Sequence, residues 1–141
     1  MTPTAPTNDE IRNLLLATRT IAIVGVSGNS DKASNHVARY LQGKTKYELF
    51  FVNPAADEIL GQKVYKSLSE IEKEIDLVDV FRKPDDCLAV LDEAIAINAK
   101  AIWLQLGISV PDVATQGEEA GLIVVMDRCI KVDHANLLRD S

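Results

Sequence analysis

A doubly wound, three-layer α/β sandwich with a parallel sheet of about five strands is the fold this sequence predicts, and three observations predict it. Five short apolar runs occur, at residues 20–26, 49–52, 77–81, 101–104 and 122–126. They are near-continuously apolar, as strands are when helices cover both faces of a parallel sheet. Helix-length segments alternate with them, which calls for right-handed βαβ crossovers. The length of 141 residues is that of one ordinary domain, with one core and room for one site.

Taken in order, the Thr- and Pro-rich residues 1–7 read as a flexible tail ahead of a single domain over 8–141. Asn8, Asp9 and Glu10 supply a helix start that is acidic in its first turn, where the macrodipole favours negative charge, and the helix runs to Ala17. The β-branched run 20–26 is the first strand. A small, polar turn then opens into a helix over 34–42, where Val37 and Leu41 share a face. After the second run, the polar stretch 55–74 reads as a loop with a short helix, with Gly61 and the segment 67–69 as turn or cap signals. Helices follow at 85–97, with Leu88, Leu91 and Ile95 on one face, and at 111–120. His134 falls in a short terminal helix.

Composition narrows the function. Lys plus Arg number 15 against 21 Asp plus Glu, and the net charge of −6 opposes general attraction to nucleic-acid phosphate or anionic lipid. An anion bound here must be held by local geometry. Cys87 and Cys129 form no CxxC pair, and only His36 and His134 can join them as soft ligands, so no metal site is predicted. No basic, apolar leader and no membrane-length apolar run occurs. The simplest placement is a soluble, cytoplasmic protein.

Ligands of an open parallel sheet sit outside the carboxyl ends of its strands. The first such end reads Gly25-Val26-Ser27-Gly28-Asn29-Ser30-Asp31-Lys32-Ala33-Ser34. It can turn several backbone N–H groups and a helix N-terminus toward a phosphate, with Lys32 and the hydroxyls of Ser27, Ser30 and Ser34 as further donors. The alternative is a tight turn of small residues in which Ser34 caps the helix. Neither the dinucleotide fingerprint nor the Walker A loop is present, since Ser27 and Ser30 stand where the second and third glycines belong. An NAD site also wants an acid after the second strand, and Asn53-Pro54 stands there instead. Arg82 and Lys83 can hold phosphate or simply precede a helix-start Pro84. Trp103 reads as a core aromatic, and Gln105 at a strand exit is placed to meet a polar ligand edge.

Together these strand-end words resemble the single-domain CoA-binding protein family: Gly25-Val26-Ser27, Lys32-Ala33-Ser34, Val52-Asn53-Pro54, Asp79-Val80-Phe81-Arg82-Lys83-Pro84, Trp103-Leu104-Gln105-Leu106-Gly107 and Met126-Asp127-Arg128-Cys129. The match spans about Ile11 to Leu138. That family is similar to the CoA-binding Rossmann domain of the succinyl-CoA synthetase α subunit. The resemblance implies a Rossmann-like fold with coenzyme A or an acyl-CoA bound by Gly25, Val26, Ser27, Gly28, Asn29, Ser30, Lys32 and Ser34 at the pyrophosphate. It implies Asn53, Pro54, Phe81 and Arg82 along the adenosine part, with Leu104 and Gln105 beside the pantetheine. Ser30 and Ala33 stand where family members often carry proline, which leaves a looser loop. Neither His36 nor His134 matches the phosphorylated histidine of the synthetase, so its chemistry is not carried over.

Catalytic groups are sparse. Cys129 beside Arg128 is a candidate low-pKa thiol or an inert buried one. Asp127, Asp133 and His134 are neighbours in sequence without forming a triad, and Asp76 and Asp79 read as caps or ion-pair partners. The favoured reading is a non-catalytic module binding CoA or acyl-CoA, with room for an unidentified protein partner. The alternative is a small NAD(P)-dependent oxidoreductase or related nucleotide-using enzyme.

Overall fold

The computed structural model describes residues 5–138. Residues 1–4 of the expected tail lie outside the described residues. The chain forms α1 (Asn8–Ala17), β1 (Thr20–Val24), α2 (Ala33–Lys44), β2 (Glu48–Val52), β3 (Glu58–Ile59), β4 (Gln62–Tyr65), a 3-10 turn (Leu68–Glu70), β5 (Leu77–Val80), α3 (Pro84–Ala96), β6 (Ala101–Leu104), α4 (Pro111–Glu119), β7 (Ile123–Val125) and α5 (Ile130–Leu137). The strands make one sheet in the order β3-β4-β2-β1-β5-β6-β7. All pairings are parallel except β3 with β4.

The sheet therefore has seven strands rather than about five. The two additional strands are a hairpin inside 55–74, where a loop and a short helix are predicted; the 3-10 turn supplies the short helix. The hairpin turns on Leu60 and Gly61, both at positive φ (51° and 76°). Two such residues make the turn that suits tight hairpins, normally signalled by Asn-Gly. A two-residue strand and a Leu-Gly turn leave little pattern to read.

The helix starts at Asn8, and Thr7 caps it. Its hydroxyl accepts from the Glu10 amide at 3.2 Å, while Glu10 Oε1 accepts from the Thr7 amide at 3.0 Å, a reciprocal capping box. Pro84 and Pro111 begin α3 and α4, where a missing N–H costs nothing.

Alternation along the strands splits the core into two layers. Ala22, Val24, Phe50, Val78, Ile102 and Leu104 pack beneath Leu91 of α3 and Val113 of α4. Ile21, Ile23, Phe51, Leu77 and Trp103 face Ile11 and Leu15 of α1, Val37 and Leu41 of α2 and Ile130 of α5. Trp103 is fully buried and its indole N–H donates to the Arg128 carbonyl at 2.7 Å, which joins β6 to the start of α5. Among the described residues, no helix is long and apolar enough to cross a membrane.

Candidate functional site

The site is built from the exit of β1. Gly25 has φ +87°, its amide donates to the Val52 carbonyl at 2.9 Å, and the Phe81 amide donates to the Val24 carbonyl at 2.8 Å. The turn is thus wedged between the ends of β2 and β5. A Cβ on Gly25 would overlap the Phe81 carbonyl oxygen and come within 3.4 Å of Arg82 Cδ. Only glycine fits, and the same contact lays the Arg82 stem against the turn.

From there the loop is shaped by its own side chains. Ser27 N–H donates to Ser34 Oγ at 2.9 Å, Asn29 N–H to Ser27 Oγ at 3.0 Å and Asp31 N–H to Asn29 Oδ1 at 2.9 Å. Asn35 Nδ2 holds the Ser27 carbonyl at 2.9 Å, and Asn53 Nδ2 holds the Val26 carbonyl at 2.9 Å. His36 Nε2 and Arg39 both approach the Ser30 carbonyl, at 2.7 and 3.2 Å. The unforeseen hairpin supports the loop from the side: Ile59 of β3 is the nearest neighbour a Cβ on Gly28 would meet, at 3.9 Å.

This bonding leaves amide donors unpartnered in the loop, whose one acid, Asp31, is exposed. Among the described residues, no hydrogen bond takes up the amide N–H groups of Gly28, Ser30, Ala33 or Ser34. The first turn of α2 contains no acid, whereas α1, α3, α4 and α5 each carry at least one. Lys32, Arg82 and Lys83 have no ion-pair or side-chain hydrogen-bond partner among the described residues. Free amides at a helix N-terminus with nearby cations favour a phosphate-sized anion.

The other singled-out residues fall as follows. Gly28, Asn29, Ser30, Lys32 and Pro54 are exposed at the loop surface, Gly25, Ser27, Asn53, Phe81 and Arg82 are half-buried, and Val26 and Ser34 are buried. Asn53 is locked locally, since its Oδ1 also accepts from the Ala55 amide at 2.9 Å. Leu104 is wholly in the core, so only its backbone faces the strand exit. Gln105 is turned inward as well: Oε1 accepts from the Ile130 amide at 3.2 Å, capping α5, a role its strand-exit position did not signal.

The catalytic candidates are dispersed among structural roles. Arg128 forms a forked pair with Asp133 (2.7 and 2.9 Å) and also donates to Asn8 Oδ1, so its charge is committed away from Cys129. Tyr40 Oη and His134 Nδ1 are 2.9 Å apart, and burial lowers the His134 pKa. Asp127, at φ 56°, accepts from the Gly107 amide at 2.7 Å and clasps two loops. Asp76 accepts from the Arg19 and Thr20 amides and pairs with Lys100, as expected of a cap and ion-pair partner. Asp79 has no such partner, contrary to the sequence expectation. Among the described residues, no three His, Cys, Asp or Glu side chains group to hold a metal.

A concavity of about 1660 Å³ lies at the opposite, amino end of the sheet, lined by Arg19, Lys44, Lys46, Tyr47 and Asp76 among others. It is a broad groove where α1 and α2 end, and cations there complement the negative helix C-termini. Lys73 pairs with Glu48 and Lys100 with Asp76 along it. The unpartnered amides lie at the other end of the sheet, around the first turn.

Comparison with known proteins shows the family. A family described as a CoA-binding domain matches residues 19–135. The chain belongs to this CoA-binding-domain family. The uncharacterized protein YneT of Bacillus subtilis is 38% identical over 130 residues, covering 92% of this chain and 96% of its own. A hypothetical protein from Pyrococcus horikoshii shares the structure with a TM-score of 0.90 at 35% identity, covering 98% of this chain and 99% of its own. The dinucleotide-forming acetyl-coenzyme A synthetase 1 of Ca. Korarchaeum cryptofilum matches 86% of this chain and 28% of its own, with a TM-score of 0.74 at 23% identity, a likeness of fold.

Proposed function

We propose that this CoA-binding-domain protein binds coenzyme A or an acyl-CoA as a non-catalytic module, with the pyrophosphate on the turn from Gly25 to Ser34. The carrying observation is the set of unpartnered amides of Gly28, Ser30, Ala33 and Ser34 beside the unpaired Lys32 and Arg82. In this reading the adenosine part passes Asn53-Pro54 and Phe81-Arg82. The pantetheine arm runs toward the exit of β6 at Leu104-Gln105. The committed states of Arg128, Asp133 and His134 support a binding rather than a catalytic role.

Nicotinamide cofactors fit less well. The exit of β2 offers Asn53, whose amide is spent on Val26 and Ala55, in place of an acid for the ribose hydroxyls. Thermal-shift titration with CoA, acetyl-CoA, NAD, NADP and ATP tests the reading. Ligand at 100 times Kd adds about 2.7 kcal/mol to folded-state stability, roughly 10 °C in Tm for a domain of this size. CoA or acetyl-CoA should give that rise and NAD much less. Equal or larger stabilisation by NAD overturns the proposal.

A further inference from the structure

Three buried side-chain oxygens lack a hydrogen-bond partner among the described residues: Oδ1 of Asn35 and both carboxyl oxygens of Asp79. Orphaned buried polar atoms are costly and call for an explanation. Asp79 is fully buried in β5, directly opposite Ile23 of β1 and Trp103 of β6. Its side chain therefore lies on the face covered by α1, α2 and α5. Asn35, 1% exposed in the first turn of α2, is enclosed on the same face.

An amide oxygen and a carboxylate are both acceptors and cannot satisfy each other, whereas a protonated carboxyl supplies the missing donor. Nothing on this face compensates an ionised Asp79. The inward residues are Ile11, Leu14 and Leu15 from α1, Val37, Ala38 and Leu41 from α2, and Ile130 from α5. The titratable groups of these helices are engaged elsewhere or exposed: Glu10 caps α1, Arg12 reaches the Leu137 carbonyl, and Asp9 is exposed. His36 and Arg39 hold Ser30, Lys44 lies exposed at the end of α2, Tyr40 meets His134, Asp133 pairs with Arg128, and Lys131 lies over Tyr40. Burial pushes the Asp79 carboxyl well above the ordinary range. The other end of the Asn35 amide, Nδ2, donates to the Ser27 carbonyl of the first turn at 2.9 Å.

We propose that Asp79 is a neutral buried acid whose proton is donated to Asn35 Oδ1, directly or through one enclosed water, fixing the amide that holds Ser27 and so setting the turn for its anion. Asp79 is then a positioning residue for the proposed CoA site, and the inference rests on that reading. It needs no contact between Asp79 and the ligand.

Infrared spectroscopy and CoA titration on the full chain test it together. The wild-type protein should show a protonated-carboxyl band at neutral pH, absent in Asp79→Asn and shifted in Asn35→Ala. Asp79→Asn keeps a donor and should bind CoA within about twofold of wild type. Asp79→Val, folded but without a donor, should raise the CoA Kd by about tenfold. Wild-type affinity should fall as the carboxyl band disappears at high pH, more steeply than that of Asp79→Asn. A missing band, a band indifferent to Asn35→Ala, or wild-type affinity in Asp79→Val overturns the inference. Absence of CoA binding by the wild-type protein overturns the parent reading instead, and the band shift still decides the Asp79–Asn35 link.

Discussion

Replacing Gly25 with alanine tests how tightly the first turn is wedged into the sheet. Two penalties add: a side chain at φ +87° costs about 1–2 kcal/mol, and forcing a methyl group against packed atoms costs about 1–3 kcal/mol. The alanine also stiffens the unfolded chain, which returns about 0.4–1 kcal/mol. The net loss is roughly 1–5 kcal/mol, a substantial fraction of the stability of a domain this size. Because the methyl group would overlap the Phe81 carbonyl and crowd Arg82, relief requires the turn to move off β5. CoA affinity should fall with stability. Gly28→Ala is the matched control: its φ is not in the left-handed region and its nearest neighbour would be Ile59 at 3.9 Å, so only the unfolded-chain effect remains and stability should hold or rise by up to about 1 kcal/mol. Urea unfolding of the three proteins measures both effects. A Gly25→Ala protein as stable as wild type, or more stable, would refute the wedged-turn geometry.

Three further outcomes are expected. Ser27→Glu should retain native circular dichroism yet weaken CoA binding by about tenfold or more, on the order of 1.4 kcal/mol, by like-charge repulsion at the phosphates; wild-type affinity would move the phosphates off this turn. The raised Asp79 pKa gives a contribution that is complete below the unfolded carboxyl value and falls by about 1.4 kcal/mol per pH unit above it, until the folded group ionises. Asp79→Asn should remove that slope, so urea unfolding at pH 5 and pH 8 should show the variant gaining on wild type as pH rises; parallel profiles would contradict a neutral Asp79. Iodoacetamide should label half-buried Cys129 before Cys87, which is fully buried with its thiol pKa raised by burial and then by Asp86. Peptide mass spectrometry reads the order, and early labelling of Cys87 would refute it.

Strong, repeated patterns in the sequence carried the architecture. The five apolar runs became the five consecutive strands β2-β1-β5-β6-β7 of the sheet because burial on both faces leaves little choice of residue. The β3–β4 hairpin was hidden because it is short, polar and turned by Leu60-Gly61. The small residues of the first turn were readable as a loop, but the wedge of Gly25 against Phe81 depends on the register of β1 with β5, which no local pattern contains. Likewise Gln105 and Asp79 sit at or near strand ends, where composition alone does not say which way a side chain turns. The register places Asp79 on the α1/α2/α5 face, and hydrogen bonding turns Gln105 toward α5.

Backbone amide NMR of the wild-type protein titrated with CoA tests the central claim most directly. The amides of Gly28, Ser30, Ala33 and Ser34 should shift saturably with CoA and much less with an equal concentration of NAD. Shifts confined to the amino-end groove around Lys44, Lys46 and Tyr47, with the first turn unmoved, would contradict the account.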